Sequence, residues 1–314
     1  MAGGCIVSHL SAAVDDYLRL RRSLGYKLVR SGELLVEFVA YVDHAGADHV
    51  SVELAVAWAT LPANADSTWR AQRLGVVRCF ARYLQAIDPA TEVPPAGLVF
   101  GGLRRPEPFL YSEADIARLM EAARTVRSPL RSATLETLIG LLAVTGLRVR
   151  EAIRLNREDV DYEQGLLMVH NSKGGKSRAV PLHPSTVEAL RVYSARRDEL
   201  FAFSSSASLL ISTTGTRLRS SNLQTALIDL QRRACLPFRS QRSGPRIGDF
   251  RHSFAVRTML DWYTSGVEVE PRLPLLSTWL GHADPASTYW YLSAAPQLLA
   301  AAAKRLDSSF GALP

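Results

Sequence analysis

The chain has 314 residues, is 47% hydrophobic and carries a net charge of +7, enough apolar content for one large or two ordinary packed domains of a soluble globular protein. Nothing in it approaches the roughly 20 apolar residues that span a bilayer, and the opening MAGGCIVSHLSAAVDDY lacks the basic flank and apolar core of a secretory signal, so a cytoplasmic protein with no membrane partner is expected. Cys5, Cys79 and Cys235 are too dispersed for a disulfide framework or a CxxC metal site, which excludes a disulfide scaffold and leaves reduced thiols and no metal as the expectation.

In chain order, SAAVDDYLRLRRSLGY, GELLVEFVAYVDHAG, SVELAVAWATL and STWRAQRLGVVRCFARYLQAI carry apolar residues at three-to-four spacing and predict four helices in the first hundred residues. DPATEVPPAGLVFGGLRRPEPF is dense in Pro and Gly and aperiodic, which marks a linker. Residues 1–105 carry 11 Lys and Arg against 10 Asp and Glu, and residues 106–314 carry 26 against 20. The basic excess therefore lies after the linker, where a polyanionic partner is expected. Only four of the 37 basic residues are lysines, Lys27, Lys173, Lys176 and Lys304.

Beyond the linker, Ser112 followed by Asp115 in YSEADIARLMEAA has the form of a capping box, and SATLETLIGLLAVTG predicts an apolar helix closed by Gly146. VTGLRVREAIRL then places Arg148, Arg150 and Arg154 among residues that otherwise read as buried. Either this is a solvated face, or an anion is held against the core. LLMVH and SRAVPLH predict two strands flanking the glycine-rich tip NSKGGK, and helices resume at Pro184.

Four separated pieces fit together: TGLRVREAIRL at 145–155, NSKGGKSRAVPLH at 171–183, GDFRHSFAV at 248–256 and WLGHADPASTYWYL at 279–292. In order, type and spacing they resemble the signature of the tyrosine recombinase family, the phage-integrase-like site-specific DNA recombinases, over residues 106–306. The family's first arginine stands in T-G-x-R followed by a carboxylate, matched by Thr145, Gly146, Arg148 and Glu151. Its hairpin lysine, in K-G-x-x-K before a P-L pair, falls on Lys173, with Lys176 the competing choice. Its second arginine, in H-x-x-R, falls on Arg251. L-G-H with a tyrosine nine residues after the histidine gives His282 and Tyr291, with Thr288 between them. One position departs: where the family has the His of H-x-x-R, this chain has Gly248.

The resemblance implies a mainly α fold: an N-terminal helical core-binding (SAM-like) DNA-clamping domain at 1–99, a linker at 100–110, and a mixed, mostly helical catalytic domain with a small antiparallel β-sheet and a C-terminal helix at 111–314. It implies double-stranded DNA as partner, self-association on DNA as a dimer or tetramer in synapsis, other recombinases as candidate partners, a place at the bacterial nucleoid and no cofactor. The activity implied is cleavage and rejoining of DNA strands, as recombinase or transposase of a mobile element.

The constellation suits a phosphodiester, whose displacement builds negative charge on non-bridging oxygens. Arg148 and Arg251 would hold that charge, each guanidinium being a rigid, permanently charged fork. Tyr291 would attack phosphorus and form a 3′-phosphotyrosyl link that stores the bond energy for rejoining. Lys173 would protonate the departing 5′ oxygen, and His282 would add to the positive surroundings that a phenol needs to ionise. Gly248 lacks the side chain that in similar proteins accepts the tyrosine proton or binds the phosphate. Three explanations stand open: the remaining residues and a water suffice, the chain is an accessory binder, or the glycine was introduced to slow cleavage. His252, one residue past Arg251, is expected to point about 100° away from it and not to fill the slot. Restoring His at 248 is expected to raise cleavage by more than about tenfold.

Taken singly, each motif has a bland reading: a C-cap followed by a surface arginine, a solvated turn, a tyrosine packed in a core. Coincidence in order and spacing from Thr145 to Leu292 sets them apart. PFRSQRSGPRIGDFR and STWRAQRLGVVR offer Arg239, Arg242, Arg246, Arg70 and Arg73, with Lys176, as phosphate or groove contacts. DWYTSGVEVEPRLPLL is expected to be a surface feature or a partner contact. The stripe Leu298, Leu299, Ala302 and Leu306 would suit docking on a neighbouring protomer or on its own domain. Two further functions remain in play: a catalytically silent DNA-binding partner in a recombinase assembly, and a relaxing topoisomerase of the related type, disfavoured by the lack of a long clamp domain.

Overall fold

A computed structural model describes residues 8–61, 64–100, 108–170, 175–201, 206–237, 245–282, 284, 286–294, 298–300 and 303. The chain divides into two compact units, Met1–Arg105 and Pro106–Pro314.

The first unit is made of α1 (His9–Ser23), α2 (Val29–His44), α3 (Val52–Thr60) and α4 (Ser67–Leu84). Ser8, Ser51 and Asp66 each accept a backbone N–H of the first turn of the helix they precede, which satisfies donors that the helix itself cannot. The apolar stripes of the four helices meet in one core, with Leu35, Phe38, Val42, Trp58, Phe80 and Leu84 buried. The period of 3.6 residues that predicts the helices is therefore also what aims these side chains inward.

The second unit runs α5 (Glu113–Arg124), α6 (Pro129–Thr145), the short α7 (Val149–Ala152), β1 (Val160–Asp161), β2 (Leu166–Val169), β3 (Arg178–Pro181), α8 (Pro184–Leu200), α9 (Ser220–Arg233), α10 (Asp249–Thr264), α11 (Leu273–Leu280) and α12 (Ala286–Ala294). The strands form one antiparallel sheet in the order β1-β2-β3, with Val160 opposite Leu167 and Leu167 opposite Val180. The sequence anticipates β2 and β3; β1, two residues long, is too short to leave a period. Ser112 and Asp115 form the expected capping box at α5. α6 is apolar nearly all round because it is central, with Leu135, Leu138, Ile139, Leu141 and Leu142 buried.

A second cluster in this unit joins Ala255 and Met259 of α10, Leu273, Leu276 and Leu280 of α11, Tyr291 of α12, and Val269 and Leu298. The segment expected to be a surface feature thus proves partly internal. Val269 and Leu273 are buried, because a single 3₁₀ turn at Glu270–Arg272 folds V-E-V-E-P-R-L back onto α10. Leu298 is buried in the same cluster of its own unit while Leu299 is exposed; Ala302 and Leu306 lie outside the described residues. No helix among the described residues is long and apolar enough to cross a membrane.

Candidate active site

α6 ends because Gly146 takes the left-handed conformation, φ 62°, which an L side chain adopts only at a cost. A Cβ there would stand 2.5 Å from Phe254 Cδ1, so the turn is closed by packing as well as by φ. Two residues on, Arg148 caps α7: its backbone N–H donates to Glu151 Oε2 at 3.0 Å and its Nη1 to Glu151 Oε1 at 2.7 Å. Its Nη2 donates to the Gly281 carbonyl at 3.2 Å. Arg148 keeps 29% of its side chain exposed, whereas Arg150 and Arg154 are simply exposed. Arg148 is thus held by Glu151 and the Gly281 carbonyl while part of its side chain stays exposed.

Beneath it, Arg178 at the start of β3 donates from Nη2 and Nη1 to the two carboxylate oxygens of Glu151, at 3.0 and 3.3 Å, and from Nε to the Trp279 carbonyl at 2.6 Å. Its side chain is 9% exposed. Sequence reasoning passed over Arg178, although strand alternation carried the signal: it shares a sheet face with Val180, which is fully buried. Burial pushes the Glu151 carboxyl up, but hydrogen bonds from Arg178 and the Arg148 backbone, with both charges, outweigh it and hold the carboxyl down at about 2.

Arg251, on the first turn of α10, is 7% exposed. It donates from Nη1 to the Gly146 carbonyl at 3.0 Å and from Nη2 to the Leu280 carbonyl at 2.5 Å, so one guanidinium ties the end of α6 to the end of α11. Burial and then the neighbouring Arg148 lower it to about 10, which leaves it protonated at neutral pH. α11 is stopped by Gly281 at φ 66°. A Cβ there would stand 2.7 Å from Arg178 Nη1. Gly281 is needed twice, for the turn that delivers His282 and for the close approach of Arg178.

His282 Nδ1 lies 2.7 Å from Thr288 Oγ1. Burial and the charges of Arg251, Arg148 and Arg178 depress the imidazole to about 4, so it is neutral at physiological pH. Its ring stacks on that of Tyr291, centroids 6.0 Å apart and planes 26° apart. Tyr291 is 3% exposed and lies within electrostatic reach of Arg251. Tyr289, by contrast, is 54% exposed. His252 sits against the edge of the Tyr291 ring, centroids 5.3 Å apart. The expectation that a 100° offset from Arg251 takes His252 out of the site is not met, because α10 packs on both α6 and α12: Arg251 reaches the first and His252 the second.

The structure therefore brings Arg148, Arg251, His282 and Tyr291 together and adds Arg178, Glu151 and His252. Three guanidiniums against one carboxylate give a local charge of +2. Among the described residues no cluster of His, Cys, Asp and Glu is arranged to hold a metal. Gly248 precedes α10 at φ −68°, exposed, and a Cβ there would meet nothing within 4 Å. Lys173, Arg239 and Arg242 lie outside the described residues. Lys176 and Arg246 are exposed and Arg70 is half-buried. Arg73 is a correction: it is 6% exposed, its guanidinium stands 3.6 Å over the Trp58 ring, and Nη2 donates to the Trp58 carbonyl at 3.1 Å. That stacking inside the first unit takes Arg73 away from any surface contact, so it leaves the set of DNA-contacting candidates.

A family model described as the phage integrase family matches residues 110–297. The chain is 41% identical over 307 residues to "Putative integrase/recombinase y4rB" of Sinorhizobium fredii, covering 96% of this chain and 98% of that one. It is 30% identical over 299 residues to the tyrosine recombinase XerC of a Mycobacterium species, covering 89% and 92%. Among solved structures, the Tn1549 transposon integrase in complex with a circular intermediate DNA superposes with a TM-score of 0.66 at 14% identity, over 94% of this chain and 98% of that one. With the family match spanning every residue from Arg148 to Tyr291, the chain belongs to the phage integrase family, the tyrosine-type site-specific DNA recombinases.

Proposed function

We propose that this chain cleaves and rejoins DNA through a 3′-phosphotyrosyl intermediate on Tyr291, as the recombinase or transposase of a mobile element. The observation that carries the reading is the packing of Tyr291 on His282 within reach of Arg251, in a pocket whose net charge fits a phosphodiester. Arg148, partly exposed to solvent, and Arg251 grip the non-bridging oxygens. Each lost donor of this kind costs on the order of 3 kcal/mol of transition-state stabilisation. The Tyr291 oxygen attacks phosphorus, the bond to the 5′ oxygen breaks, and Lys173, between β2 and β3 in sequence, supplies the proton to the departing hydroxyl. The phosphotyrosyl bond conserves the energy for resealing, so the residues present suffice without a nucleotide cofactor.

The integrase name of the Sinorhizobium relative and the transposon integrase among similar folds support the mobile-element role and double-stranded DNA as partner. Synapsis requires two duplexes, hence self-association on DNA. The empty place at Gly248 favours a second reading, a silent partner that binds DNA within a recombinase assembly.

A suicide duplex separates the two. Fragments from the DNA flanking the gene are nicked near each candidate site and incubated with the protein, and a covalent adduct absent in Tyr291→Phe is sought on denaturing gels. An adduct with exchanged strands supports the proposal, and an adduct with relaxation alone points to a topoisomerase. Salt-sensitive retention without adduct supports the silent partner.

A further inference from the structure

The mechanism above leaves the Tyr291 proton without a destination, because Gly248 offers no side chain. His282 is a poor acceptor: burial and then the charges of Arg251, Arg148 and Arg178 keep its imidazole down at about 4, and Thr288 lies 2.7 Å from Nδ1. His252 also packs against the same phenol, ring centroids 5.3 Å apart. It lies four residues after Gly248 on α10, one turn on and on the same helix face. Adding a Cβ at 248 meets nothing within 4 Å, so that space is available to an imidazole entering from position 252. The ring is wedged edge-on between Trp290 and Tyr291, with centroids 5.2 and 5.3 Å away at interplanar angles of 63° and 64°. The Tyr291 ring is thus in contact with two imidazoles, His282 and His252.

We infer that His252, whose ring lies edge-on against Tyr291, is the proton acceptor for that phenol in a chain where Gly248 offers none; this rests on Tyr291 being the nucleophile. As the phenol oxygen bonds to phosphorus, its proton passes to the His252 imidazole. The bond to the 5′ oxygen breaks, and that oxygen leaves as a hydroxyl with the proton given by Lys173. On rejoining, the 5′-hydroxyl attacks phosphorus and returns a proton to Lys173, the phosphotyrosyl bond breaks, and the His252 imidazolium gives its proton back to the phenolate.

The test is the single-turnover rate of adduct formation on a nicked suicide duplex, with DNA retention and thermal melting recorded for every variant. His252→Ala is expected to slow adduct formation by about a hundredfold or more, the usual range for a lost general base, with DNA retention unchanged. His252→Phe, which keeps the edge packing on Trp290 and Tyr291, is expected to be as slow. Millimolar imidazole in the buffer is expected to restore at least tenfold of the His252→Ala rate, and so is Gly248→His placed in the His252→Ala background. The inference is overturned if His252→Ala stays within threefold of the unsubstituted chain. It is overturned equally if His252→Phe keeps the full rate, or if neither imidazole nor the histidine at 248 restores any of the loss. An unsubstituted chain that forms no adduct at all removes the proposed function itself, a result distinguishable from the other three.

Discussion

Glu151 Oε2 accepts from Arg178 Nη2 at 3.0 Å while Glu151 Oε1 accepts from Arg148 Nη1 at 2.7 Å, so one buried carboxylate orients two guanidiniums. The pair with Arg178 is almost wholly out of water, side-chain exposures being 9% and 6%. Breaking such a pair leaves a charge stranded, which typically costs about 3–5 kcal/mol. Glu151→Gln is expected to lose stability of that order in urea denaturation and to slow cleavage as well, because Arg148 loses its anchor. The pH dependence has a definite sign. The folded carboxyl titrates at about 2 against an ordinary 4.5, so its contribution is complete above about 4.5 and fades as pH falls toward 2. The stability gap between the parent and Glu151→Gln should therefore close across that window.

The two arginines of the site are held differently, and the same substitution should separate them. Arg148 is partly open and bonded along one edge, whereas Arg251 is buried and bridges the carbonyls of Gly146 and Leu280. Lysine keeps the charge but not the fork. Arg148→Lys is expected to cut single-turnover cleavage by about 10²- to 10³-fold with little change in melting temperature. Arg251→Lys is expected to cut it as much and also to lose about 1.5–3 kcal/mol of stability for each charged hydrogen bond not remade.

Gly146→Ala tests whether the turn sets the site. At φ 62° an alanine costs about 1 kcal/mol in backbone conformation, and its Cβ would stand 2.5 Å from Phe254 Cδ1 and 3.1 Å from Leu280 Cδ2, an overpacking that typically costs a further 1–3 kcal/mol. The Gly146 carbonyl holds Arg251, so cleavage should fall together with the melting temperature. Gly140→Ala, on α6 with 3.6 Å of ordinary clearance to Met120 Cε, is the control expected to keep both.

How much of this was legible in the sequence differs by residue. Arg148, Arg251, His282 and Tyr291 could be located because each sits in a local pattern with its own turn: Gly146 before the first arginine, Gly281 before the histidine. The helices were legible from period, since apolar stripes that face a core repeat at 3.6. What stayed hidden depends on contacts between distant segments. Arg73 reads as one more exposed helical arginine until Trp58 is seen beneath it. The angle between His252 and Arg251 points it away from the site only so long as α10 is covered on one side, and it is covered on two. The Val269–Leu273 segment reads as a surface feature because its two buried residues stand either side of a three-residue 3₁₀ turn, too short to show a period.

His282 offers the last test. His282 Nδ1 and the Thr288 hydroxyl lie 2.7 Å apart; a hydroxyl donating there places the ring proton on Nε2, the edge that can donate to a phosphate oxygen. Because the folded imidazole is depressed to about 4 from an ordinary 6.5, the unfolded chain binds a proton that the folded one does not. His282 therefore makes the fold less stable as pH falls from 6.5 toward 4, and His282→Gln should flatten that part of the stability profile. The neutral form persists throughout the range from pH 6 to 8, so no loss of cleavage in that range should trace to this residue. Thr288→Val, nearly isosteric in a site 2% exposed, frees Nδ1 to carry the proton instead. It is expected to reduce cleavage by about tenfold while preserving the fold, and nitrogen chemical shifts of the imidazole would report the change of tautomer directly.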